Sequence, residues 1–208
     1  MNPNLTRRLA PPLLTLLLAL LALLPALDAG AAPPAGLKSG VFEPPRAAPA
    51  MALASSNGKP FRLADYRGKV VILEFGYTHC PAICPTTLAT LAQARALLGS
   101  QAAEVQVVFV TVDPARDDVA RLGGYLARFD RGFIGLTGSG QQVDAVLKDY
   151  GISASRQPMA GGSDYGMSHS SYLYFIDRKG LLRALMPFGR PAADVAHDAR
   201  LLLREGGA

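Results

Sequence analysis

Two apolar runs constrain this chain more than any other feature. Residues 69–76 (KVVILEFG) and 105–112 (VQVVFVTV) are rich in β-branched side chains and show no clean polar alternation. Each reads as a buried strand. Between them, residues 85–98 (PTTLATLAQARALL) read as a helix, with Pro85 in the first helical position and Gly99 as the stop. Further helical spacing occurs at 118–129, 141–150 and 192–204. Strands are expected at 171–176 and 182–188, joined by the hairpin turn Asp177-Arg178-Lys179-Gly180. Short extended pieces at 51–54 and 60–63 flank the turn Ser56-Asn57-Gly58. Strands alternating with helices, followed by a hairpin and a closing helix, predict a three-layer α/β/α domain.

The pattern fits a thioredoxin-like core with an N-terminal β-hairpin extension. The hydrophobic content of the 208-residue chain is 50%, against 18% charged residues, and the excess is local. Residues 13–24 hold only Leu, Ala and one Thr; Arg7 and Arg8 precede them, and Ala29-Gly30-Ala31 follows. This is the layout of a cleaved secretory signal, while the apolar length from 9 to 27 also approaches the roughly 20 residues of a membrane anchor. Either way, residues 1–31 place the remainder outside the cytoplasm, on the periplasmic side. No Cys stands directly after the apolar run, at the expected cleavage region, which excludes a lipid-modified N-terminal cysteine. Residues 32–50 are rich in Ala, Pro and Gly and read as a tether, leaving residues 51–208 as the folded domain. No later run reaches transmembrane length, which excludes a polytopic transporter. The net charge of +5 is dispersed, with no basic helix face, so no nucleic-acid binding is expected.

Only two cysteines are present, Cys80 and Cys84, in the text Gly76-Tyr77-Thr78-His79-Cys80-Pro81-Ala82-Ile83-Cys84-Pro85. They lie where a strand gives way to a helix, so the helix N-terminus is expected to lower both thiol pKa values. Positions i and i+4 on a helix stand about 5–6 Å apart at Cβ, wider than the roughly 3.8 Å of a disulfide. An irregular start at Cys80-Pro81 can close that gap, and the same spacing leaves room for an atom between the sulfurs. Two thiolates suit a soft ion such as Cu(I). A static disulfide around three intervening residues constrains little of the unfolded chain.

His169 precedes the strand at 171–176. In a thioredoxin-like domain that loop faces the start of the cysteine helix, so His169 is a candidate third donor, completing a two-sulfur, one-nitrogen site for Cu(I) or Cu(II). No proline stands in this loop, where thioredoxin-type exchange enzymes carry a cis-Pro. His79 reads as an exposed neighbour of Cys80, and His197 as a solvated helix residue. Met159 and Met167 read as packing residues. Asp113, at the end of the second apolar run, is either an outer acceptor that orients a ligand or a turn cap. Asp117 or Asp118 caps the next helix.

The Cys80–Cys84 segment, the run Val110-Thr111-Val112-Asp113-Pro114-Ala115-Arg116-Asp117 and Ser168-His169-Ser170 together resemble the SCO/SenC family, over about residues 41–190. The resemblance implies an exported, thioredoxin-fold copper-binding protein that is often tethered to a membrane. It further implies a role in assembling the binuclear copper centre of cytochrome c oxidase, with Cys80, Cys84 and His169 as copper ligands. The implied partners are the copper-site subunit of the oxidase and another periplasmic copper carrier. Ala82 stands where the family often has an acid, and Ser168 where Asp often precedes the ligand His. The competing reading is an extracytoplasmic thiol–disulfide reductase acting through Cys80 and Cys84 as a catalytic redox pair, which keeps the cysteines of an oxidase subunit or copper carrier reduced and does not need His169.

Overall fold

The structure is a computed structural model that describes residues 36–159 and 164–205. The expected leader at 1–31 lies outside the described residues. Among the described residues there are ten strands: β1 (Gly40–Ala47), β2 (Ala52–Ser55), β3 (Phe61–Arg62), β4 (Val70–Gly76), β5 (Val105–Thr111), β6 (Ile134–Thr137), β7 (Ala154–Pro158), β8 (Tyr165–His169), β9 (Tyr172–Ile176) and β10 (Leu181–Pro187). The helices are α1 (Ile83–Leu98), α2 (Val119–Leu126), α3 (Gly140–Asp149) and α4 (Ala192–Glu205).

Eight strands form one sheet in the order β1-β10-β9-β4-β5-β6-β2-β3. The expected buried runs are its centre. β4 pairs in parallel with β5, from Val70 opposite Val105 to Gly76 opposite Thr111, and all seven β4 residues are buried. Parallel neighbours need a crossover, and α1 supplies it. Side chains alternate across the sheet: Phe75 meets Tyr150 at the end of α3, with ring centroids 5.4 Å apart. A Cβ at Gly76 would point the other way, onto Phe109 and Cys84 of α1. The functional segment thus leaves the C-terminal end of a central strand and enters a helix packed on one face of the sheet. This is the expected thioredoxin-like α/β fold.

Four features depart from the sequence-based expectation. First, the 32–50 tether ends earlier than expected, because β1 pairs antiparallel with β10 at the sheet edge. Pro44-Pro45 is tolerated there because an edge strand can forgo ladder donors, and the register breaks between Val41 and Arg46. Buried Asp198 in α4 anchors this segment. It accepts from Lys38 N–H (2.8 Å), Ser39 N–H (3.0 Å) and Ser39 Oγ–H (2.6 Å), with the ring of His197 beside it at 3.0 Å. Second, the β2–β3 hairpin is present as expected, but it is built into the opposite edge of the main sheet, where β2 pairs with β6. Third, β6 is a strand of four residues, too short to stand out in the sequence. Its Gly135 leaves the space filled by Leu122 and Leu126 of α2. Fourth, β7 and β8 form a separate two-stranded sheet, with His169 opposite Ala154. His169 therefore ends a strand and is not in open loop.

Candidate metal centre

α1 begins two residues before the expected Pro85, so Cys84 lies inside its first turn. Cys84 is 1% exposed and Cys80, on the approach loop, is half-buried. The Cys84 N–H points at Cys80 Sγ, 3.4 Å away. Neither cysteine is in a disulfide.

The loop carrying Cys80 is fixed by Asp117, which is fully buried. Its carboxylate accepts from Thr78 N–H (3.0 Å), Thr78 Oγ–H (2.6 Å) and Thr111 Oγ–H (2.7 Å). Sequence reasoning read Asp117 only as a helix cap. The cap is Asp118, which accepts from Arg121 N–H at 2.7 Å. The usable signal for Asp117 was its position in the turn that leaves β5, beside the end of β4.

His169 arrives from 85 residues away in sequence. Its Nε2 lies 3.8 Å from Cys84 Sγ, and its Nδ1 lies 3.0 Å from Ser170 O. A carbonyl only accepts, so Nδ1 carries a proton, and in the neutral ring that tautomer turns the Nε2 lone pair toward the sulfur. The ring also meets Tyr77 edge-on, centroid to centroid 6.1 Å.

Asp113 was expected either to orient a ligand or to cap a turn, and its side chain does neither directly. It is buried and accepts from Tyr165 Oη–H (2.9 Å) and from Arg116 Nε. Arg116 in turn reaches Asp164 Oδ1 and Tyr165 O, both at 2.9 Å, and stacks over the Tyr165 ring at 3.7 Å. Asp113 therefore latches the β7–β8 hairpin, and only through that hairpin does it position His169. Among the remaining candidates, His79 is engaged by Thr78 Oγ1 and Arg121, Met167 packs against the core, and Met159 is exposed.

The expectation that both thiols are acidified fails for one of them. A hydrogen bond from the Cys84 thiol, with backbone N–H groups at the start of α1, draws Cys80 down to about 5. Cys84 is pushed well above the ordinary thiol range by holding its proton on that hydrogen bond, by burial and by nearby Glu74. The helix N-terminus favours thiolate, but two neighbouring thiols share one negative charge first. Alkylation of the copper-free reduced chain by iodoacetamide should therefore be selective for Cys80 and lose rate as pH falls through about 5. Cys84→Ala removes the donor, and its alkylation profile should move to higher pH. An unchanged midpoint in that variant contradicts this charge sharing.

Gly76 gives Cys84 its seat. A Cβ there would stand 2.9 Å from Cys84 Sγ and 2.8 Å from the Phe109 ring. Gly76→Ala should destabilise the fold by about 1–3 kcal/mol through overpacking, measured by urea unfolding.

A thiolate and an imidazole bound to one ion at about 2.3 and 2.0 Å, at tetrahedral to trigonal angles, stand roughly 3.5–3.7 Å apart. The 3.8 Å between Cys84 Sγ and His169 Nε2 is already close to that separation. No three His, Cys, Asp or Glu side chains among the described residues form a finished cage. Cys80, half-buried four residues before Cys84, is the neighbouring donor that could join this pair.

The SCO1/SenC family profile matches residues 43–204. The chain belongs to the SCO1/SenC family. It is 37% identical over 150 residues to the mitochondrial SCO2 homolog of Mus musculus, covering 71% of this chain and 59% of that protein. The structure of Bradyrhizobium japonicum ScoI with copper bound superposes with a TM-score of 0.70 at 31% identity, covering 75% of this chain and 99% of that one. BsSco, described as a member of the Sco family of cytochrome c oxidase assembly proteins and as containing a disulfide switch, shares the fold at a TM-score of 0.61 and 20% identity, over 77% of this chain and 95% of that one. The SCO1/SenC match starts at residue 43, inside the segment expected to be a tether. That agrees with β1 being part of the folded unit.

One further residue of the site was not singled out from sequence. Glu74 sits in the centre of β4, 4% exposed, with no hydrogen-bond partner for Oε2. Burial and the nearby Cys80 charge push its carboxyl well above the usual range. The signal was an acid inside an otherwise apolar run.

Proposed function

We propose that this protein binds copper through Cys80, Cys84 and His169 and delivers it during assembly of the binuclear copper centre of cytochrome c oxidase. The observation that carries the reading is His169 Nε2 standing 3.8 Å from Cys84 Sγ, with Nδ1 held 3.0 Å from Ser170 O. Two sulfurs and one imidazole nitrogen are a soft donor set that accommodates Cu(I) in three-fold coordination and Cu(II) with an added ligand. Buried Cys84 and the hairpin-held His169 form the fixed side of the site. Half-exposed Cys80 is the ligand that closes last and opens first. An incoming thiolate can therefore displace Cys80 before the metal leaves the other two donors. The copper-bound ScoI relative supports the metal, and the family supports the oxidase role. Residues 1–31 export the domain or anchor it on the extracytoplasmic side, where that oxidase subunit is assembled. Anaerobic titration of the reduced chain with Cu(I) should reach one copper per chain, and Cys80→Ser should lose it. Equal retention by wild type and Cys80→Ser contradicts the reading.

A second activity is favoured by the unequal thiols. Cys80 is accessible and largely thiolate at neutral pH, while Cys84 is buried and protonated. That is the division between an attacking and a resolving thiol. Cys80 attacks a partner disulfide, and Cys84 then displaces the reduced partner by closing an intramolecular disulfide. The test is reduction of a model disulfide by His169→Ala, which keeps the wild-type rate if thiol exchange is an independent function.

A further inference from the structure

Beside the sulfur–imidazole site lies a cleft of about 230 Å³ between α1, the β9–β10 side of the sheet and the turn that follows β10. Cys84 and His169 form part of its wall, so it is continuous with the proposed copper site. Six large apolar side chains are exposed among the described residues, and three of them line this one cleft: Ile83 (41%), Tyr172 (44%) and Phe188 (45%). They come from α1, β9 and the turn after β10, elements distant in sequence that place an apolar surface at one mouth.

The polar groups in the wall share one character. Glu74 is buried, and its Oε2 lacks a partner. Thr86, Thr87 and Thr90 spend their hydroxyl protons on Ala82 O, Ile83 O and Thr86 O, at 2.8, 3.0 and 3.0 Å. Their oxygens are left as acceptors. Arg190, the one Lys or Arg among the described residues of the wall, is paired with Asp194 at 2.6 Å. Among the described residues the cleft therefore offers no unpaired Lys or Arg to an anionic ligand, and presents apolar surface with unpaired acceptors. An unpartnered buried oxygen favours any donor that can reach it, and the backbone N–H of an extended peptide is such a donor.

We propose that this cleft seats an extended apolar segment of the protein that exchanges copper with the site. The segment carries a cysteine set beside Cys84 and an N–H directed at Glu74 Oε2. The proposal rests on the copper reading above and specifies its partner. Because the cleft opens onto Cys84 and His169, a chain lying in it brings its own sulfur to the metal without a separate docking step, raising the effective concentration of the acceptor thiolate.

The test uses the full reduced, copper-free chain and a fluorescently labelled, reduced peptide with Leu and Val on both sides of one Cys. Anisotropy should show the peptide binding at least about tenfold more tightly than a version with every Leu and Val changed to Ser. Phe188→Asp and Tyr172→Ser each remove an exposed apolar contact, and Glu74→Leu removes the acceptor. Each should weaken the peptide by at least about tenfold, while Phe188→Asp retains copper like wild type. Equal affinity for both peptides, or unchanged peptide affinity in Phe188→Asp and Tyr172→Ser, overturns the proposal. A concentration-dependent dimer that Phe188→Asp dissolves also overturns it, by showing a second copy as the occupant. A chain that binds the peptide through Phe188 but holds no copper supports the cleft and contradicts the copper reading, so the two failures are separable.

Discussion

Replacing His169 with Ala should lower copper affinity by more than about 100-fold, since losing a group that merely orients a ligand already costs about 10–100-fold. What remains is a pair of sulfurs on one helix start. Cu(II) should suffer more than Cu(I), because imidazole is the harder donor of the set. The imidazole is half-buried at the end of β8 and rests against Tyr77 only by its edge. The fold should therefore lose no more than about 1 kcal/mol, so the loss of copper reports ligation and not unfolding. Competition of wild type and His169→Ala against a chelator of known affinity, with urea unfolding in parallel, reads both quantities. Equal affinities would make His169 part of the hairpin and nothing more.

The second large effect lies one layer behind the sulfurs. Asp117→Ala strips the acceptor from Thr78 N–H, Thr78 Oγ–H and Thr111 Oγ–H at a fully buried position. A buried donor left without a partner costs about 1–3 kcal/mol. The three share one carboxylate and do not add fully, so about 3–5 kcal/mol is expected for the set by comparison with breaking other buried charged networks. Thr78 is two residues before Cys80, so the fraction that still folds should also hold copper less tightly. Urea unfolding gives the first number and copper retention of the folded fraction the second. A stability loss under about 1 kcal/mol would mean that the loop is held by something other than this carboxylate.

The parts of this molecule that were legible in the sequence are those decided by local chemistry. KVVILEFG and VQVVFVTV could only be buried strands, and the helix following the cysteines announced its own stop at Gly99. From those elements the fold followed, and the fold brought His169 toward Cys84. What stayed hidden depends on contacts across the chain. β1 contains Pro44-Pro45 and is mostly exposed; nothing within it favours a strand, and it is held by β10 and by Asp198 far along the sequence. β7 and β8 are short, polar and partly exposed, and each exists by pairing with the other. The turn after β5 offered three acids, and only its geometry sends Asp117 to the cysteine loop, Asp113 to the hairpin latch and Asp118 to the start of α2. The thiols show the same limit. Their position at a helix start argued for two acidic sulfurs, whereas burial of Cys84 and its hydrogen bond to Cys80 leave one.

X-ray absorption spectroscopy on the reduced chain loaded with one equivalent of copper reads the donor atoms themselves. Two sulfurs and one imidazole nitrogen are expected around the metal, with the nitrogen lost in His169→Ala and one sulfur lost in Cys80→Ser. A shell of nitrogen and oxygen donors alone, or one unchanged by either substitution, would contradict ligation by Cys80, Cys84 and His169.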